Sequence, residues 1–367
     1  MCGVKWRVIG LVLVAGCWAP VTIYNQWESR PQAVGCAVAT CGDPERLITI
    51  TYLGVSGLLI EHSGHVLLTA PIFSNPSLKQ VSPRVTRFLR STPRISIDSG
   101  AIEKLLPASA DRATAILVGH GHYDHLMDVP YIARKRATAA RIYGGPSVRH
   151  MLMGDSSLRA NGGRRVVAIA QEEAGTRNRQ GVWLYTADSA YRFMAIVANH
   201  APTYRAWRKS YTFTAGSVDA DLDSLPHTAG EWKLGEPYAF VIDVLSPSTR
   251  ASVFRIYFQD APSEPPLGFP PDDLLREHRI DLAVLCAATS SNVSATPDSL
   301  LSVLKPAQVI VGHWEDFFRS QSLPIQLSPA TDLDSFLASL RRSLPAGAGW
   351  VIPLPQAMFR FRESERE

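Results

Sequence analysis

The chain has 367 residues, a length that suits one large domain or two small ones. Hydrophobic residues make up 46% of it, as in a globular protein with a substantial core. The formal net charge is only +4 and the basic residues are scattered along the chain, so composition gives no reason to expect nucleic acid binding.

The N-terminus has the pattern of a targeting segment. Two basic residues precede an apolar run at 8–17, and the run from Val14 to Cys17 resembles a bacterial lipobox. This predicts residues 1–17 as a signal peptide, with Cys17 lipidated as the mature N-terminus. An uncleaved anchor reaching Tyr24 is the alternative, although it is short for a full membrane span. Both versions predict a protein of the bacterial cell envelope, tethered to the membrane with its folded domain outside the cytoplasm.

A tether is predicted at 18–47, because prolines interrupt this stretch and no periodic pattern runs through it. Cys36 and Cys41 lie close together within it, which favours a disulfide in an oxidising compartment. Cys286 ends an apolar strand, and we expect it to be a buried small hydrophobic residue.

The folded domain is predicted to span 48–355, before a charged and frayed tail at 356–367. It opens with strands at 48–53, 58–62 and 65–69, and a long loop rich in proline and arginine follows at 74–96. Further strands are predicted at 116–118, 141–143, 164–170, 181–186, 191–198, 238–245, 252–258, 281–286, 307–311 and 349–353, and helices at 98–106, 129–138, 146–153, 271–277, 297–304 and 333–343. Antiparallel runs come early and strands alternate with helices later, which predicts an α+β fold with two packed mixed sheets and outer helices, an αββα four-layer sandwich.

The densest cluster of metal-binding residue types follows the apolar strand at 116–118. The strand ends at a glycine, and His120, His122, Asp124 and His125 follow within six positions. Imidazole and carboxylate groups are the ligands of zinc and similar metals. Because the chain has only ten histidines, three within six positions are not expected by chance. The spacing lets the loop aim its first two histidines at one metal and the remaining pair at a neighbouring metal.

Three later strands each end in a further candidate ligand. His200 follows the apolar strand at 193–198, Asp260 follows a strand at 254–258, and His313 follows a strand at 308–311. Side chains just past strand ends lie at the rim of a rigid sheet, where functional sites are commonly built. The remaining histidines lack this context and are predicted to be solvated or structural: His62, His65, His150, His227 and His278.

The order H-x-H-x-D-H, followed by these three residues, resembles the signature of the metallo-β-lactamase superfamily over 48–355. The resemblance implies a site for two zinc ions, with manganese or iron as alternatives. It also implies that Asp124 is catalytic, because this aspartate would orient or deprotonate the nucleophile. The implied ligands are His120, His122 and His200 for the first metal, Asp124, His125 and His313 for the second, and Asp260 as the bridge.

The residues around the motif indicate one branch of the superfamily. Tyr123 inside the motif and Leu126 after it resemble the branch that holds N-acyl-phosphatidylethanolamine phospholipase D and L-ascorbate-6-phosphate lactonase. The runs at 68–74 and 313–317 resemble the same branch. Ala70 departs from it, because the branch carries there an aspartate that fixes the metal loop, and such losses cost one or two orders of magnitude in affinity or activity.

The resemblance implies a hydrolase that uses hydroxide held by two metals to cleave an ester or phosphodiester in a small-molecule or lipid-like substrate. The alternatives are a lactonase or β-lactamase-type hydrolase of lactones or amides, and a non-catalytic metal-binding scaffold, which Ala70 favours. Reduction of oxygen or nitric oxide would need a flavin module, and the sequence predicts no such domain. The basic, aromatic segment at 203–209 could hold a phosphate or an acyl chain, or be an ordinary exposed loop.

Overall fold

The computed structural model describes residues 46–82, 91–206, 209–212, 214–329 and 331–364, without the side chains of 204–206 and 209–211. The predicted lipobox, most of the tether and the pair Cys36 and Cys41 lie outside these ranges. Within the described part of the chain, every helix is too short or too polar to cross a bilayer.

The first sheet contains the N-terminal half of the domain and the last strand. Its members are β1 (Leu47–Gly54), β2 (Gly57–His62), β3 (His65–Thr69), β4 (Ala113–Leu117), β5 (Arg141–Gly144), β6 (Val166–Ala168) and β16 (Met358–Arg362). Their spatial order is β16-β1-β2-β3-β4-β5-β6. The three neighbouring pairs among β16, β1, β2 and β3 are antiparallel, whereas β3 to β6 run parallel.

The second sheet holds the later strands. Its members are β7 (Leu184–Tyr185), β8 (Tyr191–Val197), β11 (Tyr238–Leu245), β12 (Ser252–Phe258), β13 (Leu282–Cys286), β14 (Gln308–Gly312) and β15 (Gly349–Val351), in the order β15-β14-β13-β12-β11-β8-β7. Strands β9 (Tyr204–Ala206) and β10 (Lys209–Tyr211) form a separate hairpin. Because β11 is antiparallel to both β8 and β12, and β12 to β14 run parallel, the carboxyl ends of β8, β12 and β14 meet at one edge.

Helices cover the outer faces of both sheets. They are α1 (Leu78–Val81), α2 (Ser99–Leu105), α3 (Tyr123–Leu126), α4 (Val129–Lys135), α5 (Pro146–Leu152), α6 (Ser156–Arg159), α7 (Asp272–Glu277), α8 (Asp298–Leu304) and α9 (Leu333–Ser343), with short 3-10 turns at Ala108–Arg112, Ala160–Gly163 and Ser290–Asn292. One apolar cluster joins α2, α4 and α5 to the first sheet, and another joins α7, α8 and α9 to the second. A third cluster fills the space between the two sheets. The predicted αββα sandwich is therefore confirmed.

The predicted tail is wrong at residues 358–362, which form the edge strand β16 beside β1. Phe359 and Phe361 alternate with arginines and pack into the cluster between the sheets. The alternation of apolar and basic residues allows a half-buried strand, because one face meets the core while the arginines reach solvent. The segment was predicted to be a tail because of its high charge, and the alternation was not taken into account. The predicted loop at 74–96 also contains the short helix α1, and its residues 83–90 lie outside the described ranges.

Candidate metal centre

The seven predicted ligands lie together where the two sheets meet. Four of them, at positions 120–125, follow β4 of the first sheet and enter α3. The other three follow the carboxyl ends of β8, β12 and β14 in the second sheet, as His200, Asp260 and His313. The edge shared by those three strands faces the loop after β4, so the two sheets supply opposite walls of one site.

The side chains form three overlapping groups whose ligand atoms lie within 4.8 Å of one another: His120, His122 and His200; His120, His125 and Asp260; and Asp124, His125 and His313. The first and third groups have the same members as the two ligand sets that the resemblance implies. The second group places Asp260 between them, next to His120 and His125. Each group has three donors, which is the number that an open, catalytic zinc site requires.

Distances within the centre show how closely the donors face one another. His120 Nε2 lies 3.1 Å from His122 Nδ1, and His120 Nδ1 lies 3.1 Å from Asp260 Oδ1. Asp124 Oδ2 lies 3.6 Å from His125 Nε2 and 3.4 Å from His313 Nε2. Among the described residues, all the ion pairs of the two aspartates are with these histidines.

Burial keeps the histidines in the form that a metal needs. Desolvation lowers the pKa of His125 to about 3 and holds the pKa values of His120 and His122 well below the usual range, so all three imidazoles are neutral at pH 7. Burial raises the pKa of Asp260. Burial also acts to raise the pKa of Asp124, but the imidazoles of His125 and His313 outweigh it and the net shift is downward.

The polar atoms left without partners test whether the centre fits a metal. Within the described part of the chain, His122 Nε2, His125 Nδ1, Asp260 Oδ2 and His313 Nδ1 are buried and have no hydrogen-bond partner. A buried polar atom without a partner is costly, and native proteins seldom keep several in one place. Bound cations would compensate the two carboxylates and take one nitrogen from each imidazole. The donor set therefore fits a pair of metal ions of the zinc class.

The backbone around the centre is fixed by close packing. A Cβ atom at Gly119 would collide with both carboxylate oxygens of Asp260, so only glycine allows β4 to approach the loop after β12. His200 Nδ1 lies 2.6 Å from the backbone oxygen of Ala201, which makes it the donor nitrogen and leaves Nε2 to face the centre. Ala201 in turn donates its N–H to Pro262 O at 2.8 Å, which joins the loops that carry His200 and Asp260.

Asp128 is a supporting residue that the sequence prediction missed. It is fully buried, and its Oδ2 accepts the backbone N–H groups of Phe73 at 2.7 Å and Ser74 at 2.8 Å. It thus ties the loop that follows Ala70 to the helix after the metal motif. Ala70 itself is buried. The available signal was an acidic residue within a run of buried apolar neighbours, since such an acid must find donors.

The five remaining histidines lie outside the three groups of donors found among the described residues. Four of them pair with carboxylates elsewhere: His62 with Glu363, His65 with Asp188, His150 with Asp221 and His278 with Asp281. Cys286 is buried, as predicted. The side chains that would test the prediction for segment 203–209 lie outside the described residues, although its backbone takes part in the β9–β10 hairpin.

No family model and no curated protein matches this sequence. Solved structures are similar at low identity. The metallo hydrolase Igni18 from Ignicoccus hospitalis has 15% identity and a TM-score of 0.45, over 88% of this chain and 100% of that chain. The diiron β-hydroxylase CmlA from Streptomyces venezuelae has 15% identity and a TM-score of 0.48, over 87% of this chain and 55% of that chain. An isothiocyanate hydrolase from Delia radicum gut bacteria has 14% identity and a TM-score of 0.43, over 86% of this chain and 99% of that chain.

Proposed function

We propose that this protein is a metal-dependent hydrolase that cleaves an ester or phosphodiester bond. The observation that carries the proposal is a cluster of five histidines and two aspartates in which four buried polar atoms have no hydrogen-bond partner among the described residues. A structural cluster of this size would satisfy its own polar atoms, whereas a metal centre needs them free.

The chain's own residues supply the ligands. His120, His122 and His200 would hold one metal, and Asp124, His125 and His313 the other, with Asp260 between them. A metal pair of this kind polarises the substrate oxygen and lowers the pKa of bound water toward neutrality. Zinc is the proposed metal, because the donors are nitrogen and oxygen atoms only; manganese and iron use the same donors.

Asp124 is the proposed catalytic residue. Its side chain is 11% exposed, more than the 0–6% of His120, His125, Asp260 and His313, so it is the most accessible of these donors to a substrate. Because His125 and His313 hold its pKa low, Asp124 stays ionised and is a weak base. We therefore infer that it accepts a hydrogen bond from the attacking water and orients it.

The substrate is proposed to be a lipid-like ester or phosphodiester. Two observations support this: the residues that resemble the branch with N-acyl-phosphatidylethanolamine phospholipase D, and the N-terminal segment that predicts a membrane tether. A panel of phosphodiesters, esters, lactones, thioesters and β-lactams, each assayed with metal-loaded and metal-stripped protein, tests the proposal. Turnover of a phosphodiester or ester that requires metal would support it.

A non-catalytic metal-binding scaffold is the second candidate, because Ala70 is buried where the branch carries an aspartate. Stoichiometric metal without turnover of any member of the panel would favour the scaffold. Metal-dependent turnover confined to lactones or β-lactams would instead indicate a lactonase or a β-lactamase.

We also propose that the chain is exported and lipidated at Cys17. The basic start, the short apolar run and the small residues before Cys17 motivate this. Mass spectrometry of the mature N-terminus should detect a lipid-modified Cys17 in the membrane fraction. An intact Met1 in that fraction would favour the uncleaved anchor.

A further inference from the structure

Strained backbone occurs at one of the candidate ligands and in a turn next to it. Val55, Ser56 and His313 have φ angles of 51°, 67° and 53°, in the left-handed region that residues with a Cβ atom rarely adopt. Val55 and Ser56 form the turn between β1 and β2 in the first sheet, and His313 follows β14 in the second. Such conformations persist only where the surrounding structure holds them in place.

A hydrogen-bonded pair of buried side chains connects these strained residues. Tyr52 Oη lies 2.9 and 2.8 Å from the two carboxylate oxygens of Glu315 and donates to that carboxylate. The same Oη accepts the backbone N–H of His313 at 3.0 Å. Glu315 Oε1 accepts the backbone N–H of Val55 at 2.6 Å. The chain of hydrogen bonds thus runs from His313 through Tyr52 and Glu315 to the turn after β1.

This arrangement fixes the backbone of His313 and leaves its ring free for the metal centre. His313 Nε2 lies 3.4 Å from Asp124 Oδ2, on the side of the ring that faces the centre. The ring of Phe317 packs edge-on against the imidazole, with 4.8 Å between ring centroids. The hydrogen bond from His313 to the Tyr52 hydroxyl uses the backbone N–H and not the ring, so loss of this hydroxyl would change where the ligand sits without removing a ligand.

We propose that Tyr52 and Glu315 are positioning residues for His313 and set the affinity of the metal held by Asp124, His125 and His313. The inference rests on the proposed metal centre. In the described part of the chain, the group of His120, His122 and His200 shares no hydrogen bond with this pair. The effect of losing the pair should therefore fall on one metal and spare the other.

The test compares Tyr52→Phe with a matched control, Tyr191→Phe. Tyr191 is also fully buried and also joins the two sheets, because its Oη donates to the backbone oxygens of Ile60 at 3.1 Å and His65 at 2.9 Å. It lies at the start of β8, at the opposite end from His200. Both variants lose one buried hydroxyl that joins the two sheets, so Tyr191→Phe controls for the general effect of such a loss on folding.

Zinc affinities are measured by chelator competition on the full chain, and cobalt(II) absorption reports the geometry of each site. We expect Tyr52→Phe to weaken one of the two zinc ions by about 10- to 100-fold and to change part of the cobalt spectrum. The other zinc should keep its affinity, and Tyr191→Phe should leave both affinities unchanged. Glu315→Gln keeps one acceptor oxygen, so its loss of zinc affinity should be smaller than that of Tyr52→Phe.

Two results would overturn the inference while the proposed function stands. One is unchanged binding of both metals by Tyr52→Phe, and the other is an equal loss in Tyr52→Phe and Tyr191→Phe, which would indicate a general effect on folding. Wild-type protein that binds no zinc would overturn both the inference and the proposed function.

Discussion

Two buried polar clusters share strands β8 and β12 of the second sheet, and they differ in how their charges are compensated. One is the candidate metal centre past the ends of β8, β12 and β14. The other surrounds Arg255 within β12, where both the arginine and Asp243 of β11 are buried. Arg255 Nε and Nη2 donate to the two oxygens of Asp243 at 2.6 and 2.8 Å, and Nη1 donates to Leu274 O at 2.7 Å.

The arginine cluster is complete without a ligand, because Arg192 adds a second cation 2.8 Å from Asp243. A bidentate pair with its remaining donors satisfied is a stable structural arrangement. The metal centre has two buried carboxylates facing neutral imidazoles, and four of its polar atoms lack hydrogen-bond partners among the described residues. The difference teaches that burial of charge alone does not indicate a function, whereas burial without compensation does.

The largest effect is expected from His122→Ala, which should break the centre and leave the arginine cluster untouched. Wild-type protein should carry about two metal ions per chain, and the variant should lose metal and all hydrolysis, since a missing ligand leaves its group incomplete. Elemental analysis measures the metal content, and the activity panel measures hydrolysis. His150→Ala, in a surface pair with Asp221, is the control. Full activity in metal-free protein would contradict the proposed mechanism.

Arg255→Met tests the other side of the comparison. It removes the main partner of buried Asp243, and breaking such a pair costs about 3–5 kcal/mol of stability. Urea unfolding should show this loss, while folded protein should keep its full metal content. Adding Asp243→Leu should recover part of the stability, because no unpaired carboxylate then stays buried. A loss below about 1 kcal/mol would show that Arg192 alone compensates Asp243.

Asp128→Asn changes a buried carboxylate that is intermediate between the satisfied arginine cluster and the unsatisfied metal centre. Among the described residues, its Oδ2 has hydrogen-bond partners and its Oδ1 has none. Burial raises the pKa of Asp128 to about 6, above the unfolded value of about 3.9. The folded state therefore binds the proton more tightly, so the stabilising contribution is present below pH 4 and is lost as pH rises through 6.

Between pH 4 and pH 8, the free energy of unfolding should fall by up to about 3 kcal/mol more in the wild type than in Asp128→Asn, because the amide does not titrate. Unfolding curves of the metal-free proteins across this range measure the difference. Parallel pH profiles for the two proteins would contradict the prediction and show that Asp128 has an ordinary pKa.

The smallest effect is expected from Ala70→Asp. A carboxylate there could accept hydrogen bonds from the metal loop and raise metal affinity or turnover modestly, or have no effect because Asp128 already fixes the adjoining loop. Affinity and turnover are compared with those of the wild type. Loss of metal with the fold intact would be the opposite result, because it would place position 70 in an apolar pocket where an unpaired carboxylate is costly.

The amino-acid sequence by itself determined the elements with a local pattern. The strands at 238–245 and 252–258 and the helix at 333–343 are predicted with their observed bounds, because alternating or helical spacing of apolar residues specifies them. The seven candidate ligands could also be found, since three histidines cluster in one loop and the others directly follow apolar strands. Whether they bind metal stays a prediction.

Only the tertiary structure decided which distant residues meet. Tyr52 and Glu315 are 263 positions apart, and Asp128 and Phe73 are 55 apart, so no local spacing could pair them. Strand β16 pairs with β1, which lies at the other end of the domain's sequence. Its charged sequence predicted a tail, and only the packing of its alternating phenylalanines into the core shows that it is a strand. Local patterns specify which face of an element is apolar, but the partner of that face, and of each buried polar atom, depends on how the sheets pack.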